Sequence, residues 1–225
     1  MTMQTKCDTY KILGVLIQYP SQALISVLSE CKEALQSEAL LSKDVLKEVC
    51  HLIKHLQQTE LLSLEENYVS LFDFKSSLSL HLLEHTYGDS RDRGQALLDI
   101  VSYYEKSGLY LQPGSMPDYM PVFLEHLSFL PTIKASQVLS CHINTIALLE
   151  QRLKEHDSAY TAVFSALKSL SASKEDEKYV QNAMNKYTRE SENSKTVDEK
   201  WQEPNAFSIP TKGKMKPRHN DSIKK

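Results

Sequence analysis

His81, Glu84 and His85 form the string His-x-x-Glu-His. Its ingredients are those of a zinc hydrolase: two imidazoles one helical turn apart can chelate the metal, and the carboxylate between them can polarise a water. That chemistry also needs a distant third ligand and a substrate chamber, for which a short helical chain offers little room. The plainer reading packs one imidazole and gives the other a side-chain hydrogen bond at a helix end. His51 and His55 have the same spacing but stand beside Lys54 and Gln57, the pattern of a solvated helix face. No serine, cysteine or lysine stands in a nucleophile motif, and there is no glycine-rich phosphate loop.

The densest polar stretch is Gly88-Asp89-Ser90-Arg91-Asp92-Arg93-Gly94. Asp89 or Ser90 can cap a following helix, and the Arg-Asp-Arg set presents forked donors beside an acceptor, so local ion pairs would account for it without any partner. In Pro117-Asp118-Tyr119-Met120-Pro121, Asp118 as N-cap would place Pro121 in the first helical turn, where its missing N–H costs nothing. The alternative makes Asp118 a contact for a cationic ligand. Beyond it Met120, Phe123, Leu124, Leu127 and Leu130 form a core-like stripe, with Glu125 and His126 off it.

Helices must position these groups. Period-3.6 stripes recur at Val45, Leu46, Val49, Leu52, Ile53 and Leu56; at Ala96, Leu97, Ile100, Val101 and Tyr104; and at Val138, Leu139, His142, Ile143, Ile146, Leu149 and Leu153. No run alternates apolar and polar residues as a half-buried strand would, and glycine occurs only six times. The fold class is therefore all-α: one helical domain of about eight or nine helices over residues 7–188, broken at Pro20, Gly88, Gly108, Pro113 with Gly114, and Pro131. Tyr179, Val180, Ala183, Met184 and Tyr187 suit a short amphipathic helix. Residues 189–225 lack the apolar surface to offset ordering entropy and read as a flexible tail with a basic end, with Trp201 and Phe207 as candidate anchors.

The chain of 225 residues is 41% hydrophobic and 24% charged, an ordinary balance for a folded domain. No apolar run approaches the ~18 residues of a spanning helix, and no signal peptide is visible, which predicts neither membrane insertion nor export. Cys7, Cys31, Cys50 and Cys141 form no CxxC pair and read as reduced core or near-core thiols in the cytoplasm. Residues 211–225 carry six Lys or Arg against one Asp, so the net charge of -3 leaves about -8 for the rest. That acidic body excludes general nucleic-acid binding and suits a cationic peptide.

Three strings carry a resemblance: Tyr68-Val-Ser-Leu71-Phe72-Asp73, the run from Glu84-His85 through Arg91-Asp92-Arg93 to Ala96, and Pro117-Asp118-Tyr119-Met120-Pro121-Val-Phe-Leu124-Glu125. In this order and spacing the chain resembles the NarJ-type nitrate reductase molybdenum cofactor assembly chaperones, a branch of the redox-enzyme maturation proteins. The likeness runs from about residue 9 to 170, and faintly again at Asp198 to Pro204. It implies an all-helical, non-enzymatic protein without a cofactor of its own. Its implied partner is the N-terminal segment of the catalytic (alpha) subunit of respiratory nitrate reductase, held in the cytoplasm while molybdenum cofactor and iron–sulfur clusters are inserted before membrane docking. Molybdenum cofactor delivery proteins are further candidate partners. The client-binding positions it implies are Tyr68, Leu71, Phe72, Glu84, His85, Arg91, Asp92, Arg93, Asp118, Tyr119, Pro121, Leu124 and Glu125. Tyr119 departs from the histidine usual in the family, which removes a pH-sensitive group but keeps a hydrogen-bond donor. A client helix would lie in a groove walled by Leu71, Phe72 and Leu124 with carboxylates at its rim. The alternatives are a metallohydrolase built on His81, Glu84 and His85, and a scaffold that only bridges subunits.

Overall fold

The computed structural model describes residues 7–88 and 90–186. The tail expected at 189–225, its anchors Trp201 and Phe207, Tyr187 and the cap candidate Asp89 lie outside the described residues.

The helices begin and end where local chemistry permits. Helix α1 (Asp8–Leu16) stops before Pro20, and Ser21 then caps α2 (Gln22–Glu38) by accepting from the Leu24 amide at 3.2 Å. α2 closes on Ala39 in the left-handed region, with φ 51°. Ser42 caps α3 (Lys43–Gln58), whose Val49, Leu52, Ile53 and Leu56 are buried as the stripe predicts, while His51 and His55 face solvent. α4 (Leu61–Tyr68) runs into a wider π-helical turn, Val69–Asp73, and then a 3-10 turn, Ser76–Leu78. The single turn α5 (Glu84–Tyr87) precedes α6 (Asp92–Lys106). After an irregular segment come α7 (Met120–Ser128), α8 (Thr132–Ser140), α9 (Ile143–Glu155) and α10 (Thr161–Leu170). A last helix, α11, spans residues 177–186 and buries Val180 and Met184 against Ala147 and Leu148 of α9.

The chain is all-α, as the stripes require, with eleven α-helical segments among the described residues instead of eight or nine. Part of the surplus is α5, which is four residues long. Part comes from the stripe between Val138 and Leu153, which is cut into α8 and α9 by a turn at Cys141 and His142. No helix among the described residues is long and apolar enough to cross a membrane.

The core centres on α1, whose Tyr10, Leu13 and Leu16 are buried against α7 and α2. α2 packs on α3, α3 on α10 and α10 on α9. α1 and α7 approach so closely that a Cβ on Gly14 would stand 3.2 Å from both the Leu124 Cβ and the Pro121 carbonyl oxygen. Between α9 and α10 the buried Glu150 carboxylate takes Lys154 at 2.7 Å, Lys168 at 2.9 Å and the Ser165 hydroxyl at 2.6 Å. Those bonds hold it below the ordinary carboxylate range although burial alone would raise it. α6 differs from the rest: Tyr104 is its only buried residue, Leu98 is 61% exposed, and Ala96, Leu97, Ile100 and Val101 of the predicted stripe are only half covered. Cys7 is buried and Cys31 and Cys50 are half-buried, but Cys141 is exposed, contrary to a near-core thiol, because it sits on the turn between α8 and α9.

Candidate functional site: an aromatic cleft and an apolar slot joined at Asp118

The π turn after α4 keeps Tyr68 and Phe72 adjacent, their ring centroids 4.8 Å apart, and Tyr160 closes edge-on against both. The Tyr68 hydroxyl donates to the Ile17 carbonyl at 3.0 Å and lies 3.4 Å from the Tyr119 hydroxyl. Burial, with help from Tyr119, pushes Tyr68 far above the ordinary phenol value, so it remains a donor at any working pH. Tyr19, Tyr68, Phe72, His81 and Tyr119 line a cleft of about 180 Å³.

His81 is where this site departs from the helix-based expectation. It is not on a helix: it forms an isolated antiparallel bridge with Tyr119, and its ring stacks on that of Tyr119 at 5.5 Å. His81 and His85 therefore do not share a helical face. His81 Nδ1–H donates to Asp118 Oδ1 at 3.0 Å, and Glu84 accepts from the Ser79 hydroxyl at 2.5 Å. His85 Nε2–H donates to the Ser79 carbonyl at 2.7 Å, and burial lowers its pKa, so it stays neutral. Each group of the His-x-x-Glu-His string thus has a protein partner. No cluster of three His, Cys, Asp or Glu side chains suited to a metal occurs among the described residues.

Asp118 does not cap α7. The helix starts at Met120 after Tyr119, no side chain caps it, and the bridge to His81 turns the Asp118 carboxylate inward. There it is 0% exposed, bonded to His81 and 3.5 Å from an Arg93 guanidinium nitrogen, while Oδ2 has no hydrogen-bond partner among the described residues. Burial alone would raise its pKa, but the His81 bond and charge, with Arg93, hold it below the ordinary value. On its far side Asp118 lines a second opening, an apolar slot of about 260 Å³ between α6, α7 and α8 whose walls include Ile100, Tyr103, Phe123 and Val138. The hydrogen-bonded pair His81–Asp118 therefore links the aromatic cleft, which His81 lines, to an apolar slot, which Asp118 lines under the half-covered stripe of α6.

The structure gathers Tyr68, Phe72, Arg93, Asp118 and Tyr119 at this junction, with Glu84 and His85 attached through Ser79. It does not bring the other expected positions there. Leu71, Pro121 and Leu124 are core residues, and Leu124 cannot wall a groove because it packs at the α1–α7 crossing. Arg91 and Asp92 are exposed at the start of α6, where Ser90, one of the two cap candidates, accepts from the Asp92 amide at 3.2 Å through Oγ, while the N-cap position itself, Arg91, makes no side-chain cap bond. Glu125 is exposed and paired with Lys11 at 3.1 Å. His126, expected off the core stripe, is buried against Tyr103 and Tyr104, and burial with Lys134 nearby lowers its pKa to about 4. Tyr19 and Ser79 also line the cleft and Tyr160 packs on its Tyr68 and Phe72 rings, and no local spacing in the sequence marks them.

The model of the nitrate reductase delta subunit family matches residues 32–166. NarJ of Escherichia coli K12, a nitrate reductase molybdenum cofactor assembly chaperone, is 32% identical over 202 residues, covering 90% of this chain and 85% of NarJ. NarW of the same strain, named "Probable nitrate reductase molybdenum cofactor assembly chaperone", is 35% identical over 195 residues, covering 86% of this chain and 80% of NarW. In fold, the chain is similar to the "Crystal Structure Of A Putative Redox Enzyme Maturation Protein From Archaeoglobus Fulgidus". The TM-score is 0.53 at 21% identity, over 75% of this chain and 93% of that one. With a family model spanning more than half of its length and two relatives above 30% identity, the chain belongs to the nitrate reductase delta subunit family.

Proposed function

We propose that this protein is a non-catalytic assembly chaperone for respiratory nitrate reductase. It binds the N-terminal segment of the catalytic subunit in the cytoplasm and keeps that subunit open to molybdenum cofactor and iron–sulfur insertion before it docks at the membrane. The observation that carries the reading is the buried Asp118 carboxylate, which lines the apolar slot under α6 and bonds to His81 of the aromatic cleft. A client helix with apolar anchors at i, i+3, i+4 and i+7 would fill the slot, beneath the half-covered α6 stripe. Tyr68, Phe72 and Tyr119 would take an aromatic or aliphatic residue in the cleft, and the Asp118–His81–Arg93 set would fix the register of any charged residue between. The acidic body favours a cationic segment. Because the client must be released, an affinity of about -8 to -12 kcal/mol, micromolar to nanomolar, fits the task.

The test is calorimetric titration of the full chain with a synthetic peptide of the catalytic subunit's N-terminus. Micromolar or tighter binding, weakened at least fivefold by Tyr68→Ala or Ile100→Asp, is expected. If the intact catalytic subunit is retained but the isolated peptide is not, the protein is a bridging scaffold and the reading fails.

A further inference from the structure

Away from that junction, the irregular 109–115 segment and the near face of α7 enclose a cleft of about 370 Å³. Tyr104, Leu109, Leu111 and Val122 give it an apolar wall, and His126 lines it while only 2% exposed. Neither ring nitrogen of His126 has a hydrogen-bond partner among the described residues. A buried imidazole left with both its donor and its acceptor unmet is costly, so the site is complementary to something that supplies a polar atom within an apolar frame.

The wall and rim narrow the identity of that occupant. Among the lining residues the one rim charge, Glu125, is matched by Lys11 at 3.1 Å, so the cleft offers no excess cation for a phosphate. Along the 109–115 segment the amides of Tyr110, Leu111 and Gln112 make no hydrogen bond among the described residues, and the Tyr110 side chain is 79% exposed. Free amides beside an apolar pocket are what an extended polypeptide pairs with, one side chain going into the pocket. We infer that this cleft is a second polypeptide-docking site, which takes a tyrosine side chain whose hydroxyl bonds to His126 while the neighbouring backbone pairs with the 109–115 segment. Burial and Lys134 keep His126 neutral, so an unprotonated ring nitrogen is present to accept the phenol O–H. The site shares Tyr104 with the slot beneath α6 but none of the residues of the aromatic cleft, and it does not depend on what occupies either.

The experiment titrates the full chain, labelled with ¹⁵N at its histidines, with the blocked tripeptide N-acetyl-Gly-Tyr-Gly-amide, its phenylalanine counterpart, and p-cresol. The tyrosine tripeptide is expected to shift the ring ¹⁵N signals of one histidine, which are missing in His126→Leu, and to bind that variant about three- to tenfold more weakly, the worth of one hydrogen bond. The phenylalanine tripeptide should bind parent and variant alike. Val122→Phe, which narrows the cleft and keeps His126, should also weaken the tyrosine tripeptide. Equal binding of the two tripeptides by the parent overturns the role of His126. Binding of p-cresol as tight as the tripeptide overturns the polypeptide assignment, and parental affinity in both variants overturns the site.

Discussion

Replacing Asp118 by asparagine separates two roles with opposite outcomes. As an N-cap the change would be nearly neutral, since Asn caps about as well as Asp. As the buried partner of His81 and Arg93 it is not. The asparagine can still accept from His81 through its amide oxygen, but its NH₂ then falls where Oδ2 lies 3.5 Å from the Arg93 guanidinium, setting donor against donor. A hydrogen bond to a charged group is worth about 1.5–3 kcal/mol. Burying a neutral amide instead of a carboxylate recovers part of it, and water reaches His81 and Arg93, whose side chains are 33% and 26% exposed. The net loss should be about 2 kcal/mol, a fall in Tm of about 4–8 °C for a domain of this size. The pH dependence adds a second signature. Because the folded carboxyl lies below its ordinary value of 3.8, its stabilisation is fully present above about pH 4 and is lost as pH falls through the folded value. Thermal unfolding followed by circular dichroism from pH 3 to 8 should therefore show a constant gap between parent and variant down to about pH 4 that closes below it. A variant melting within 1 °C of the parent at pH 7 would refute the clamp.

The other predictions concern packing and reactivity. Gly14→Ala forces a methyl group against the Leu124 Cβ and the Pro121 backbone and should cost about 1–3 kcal/mol, measured by urea unfolding with an unchanged m-value. His126→Leu removes two unpartnered buried nitrogens and should raise Tm by about 2–4 °C, for about 1 kcal/mol gained, in the same thermal assay. A maleimide at pH 7.5 should modify exposed Cys141 first and spare Cys7 until the protein unfolds, because burial, with Glu38 nearby, raises the Cys7 thiol to about 12; peptide mass mapping of a time course reads this directly.

The sequence is most legible where an element's burial is continuous along one face. The α3 stripe and the α7 stripe from Met120 to Leu130 are buried as their spacing says, because a 3.6-residue period is a local property. The turn at Cys141 and His142 carries no Pro or Gly, so nothing local announces that one stripe becomes two helices. The α6 stripe has the right period but is only half covered among the described residues, and period alone says nothing of neighbours. The candidate site is legible as residue types and not as geometry. Asp118 meets His81 across 37 residues, a pairing that no motif spacing encodes, and a cap is the strongest inference its local sequence supports. Leu124 is core by its local stripe and a groove wall only by the family resemblance, and the absent side chain at Gly14 draws it into the helix crossing.

That crossing has a consequence for how the protein is made. The Cys7 amide bonds to the Ser128 carbonyl at 3.2 Å, and α1 buries its apolar face chiefly on α7, so α1 completes its packing against a helix made more than a hundred residues later. At about 5–20 residues per second of synthesis, α1 waits roughly 6–20 s with Leu13 and Leu16 uncovered by their final neighbours. Contacts of such separation also slow folding after release, because the intervening loop must close first. Nascent chains truncated before α7 should therefore expose an apolar helix near their N-terminus and depend on general holding factors. This protein, proposed to shelter the N-terminal segment of another chain, has the same exposure to survive during its own synthesis.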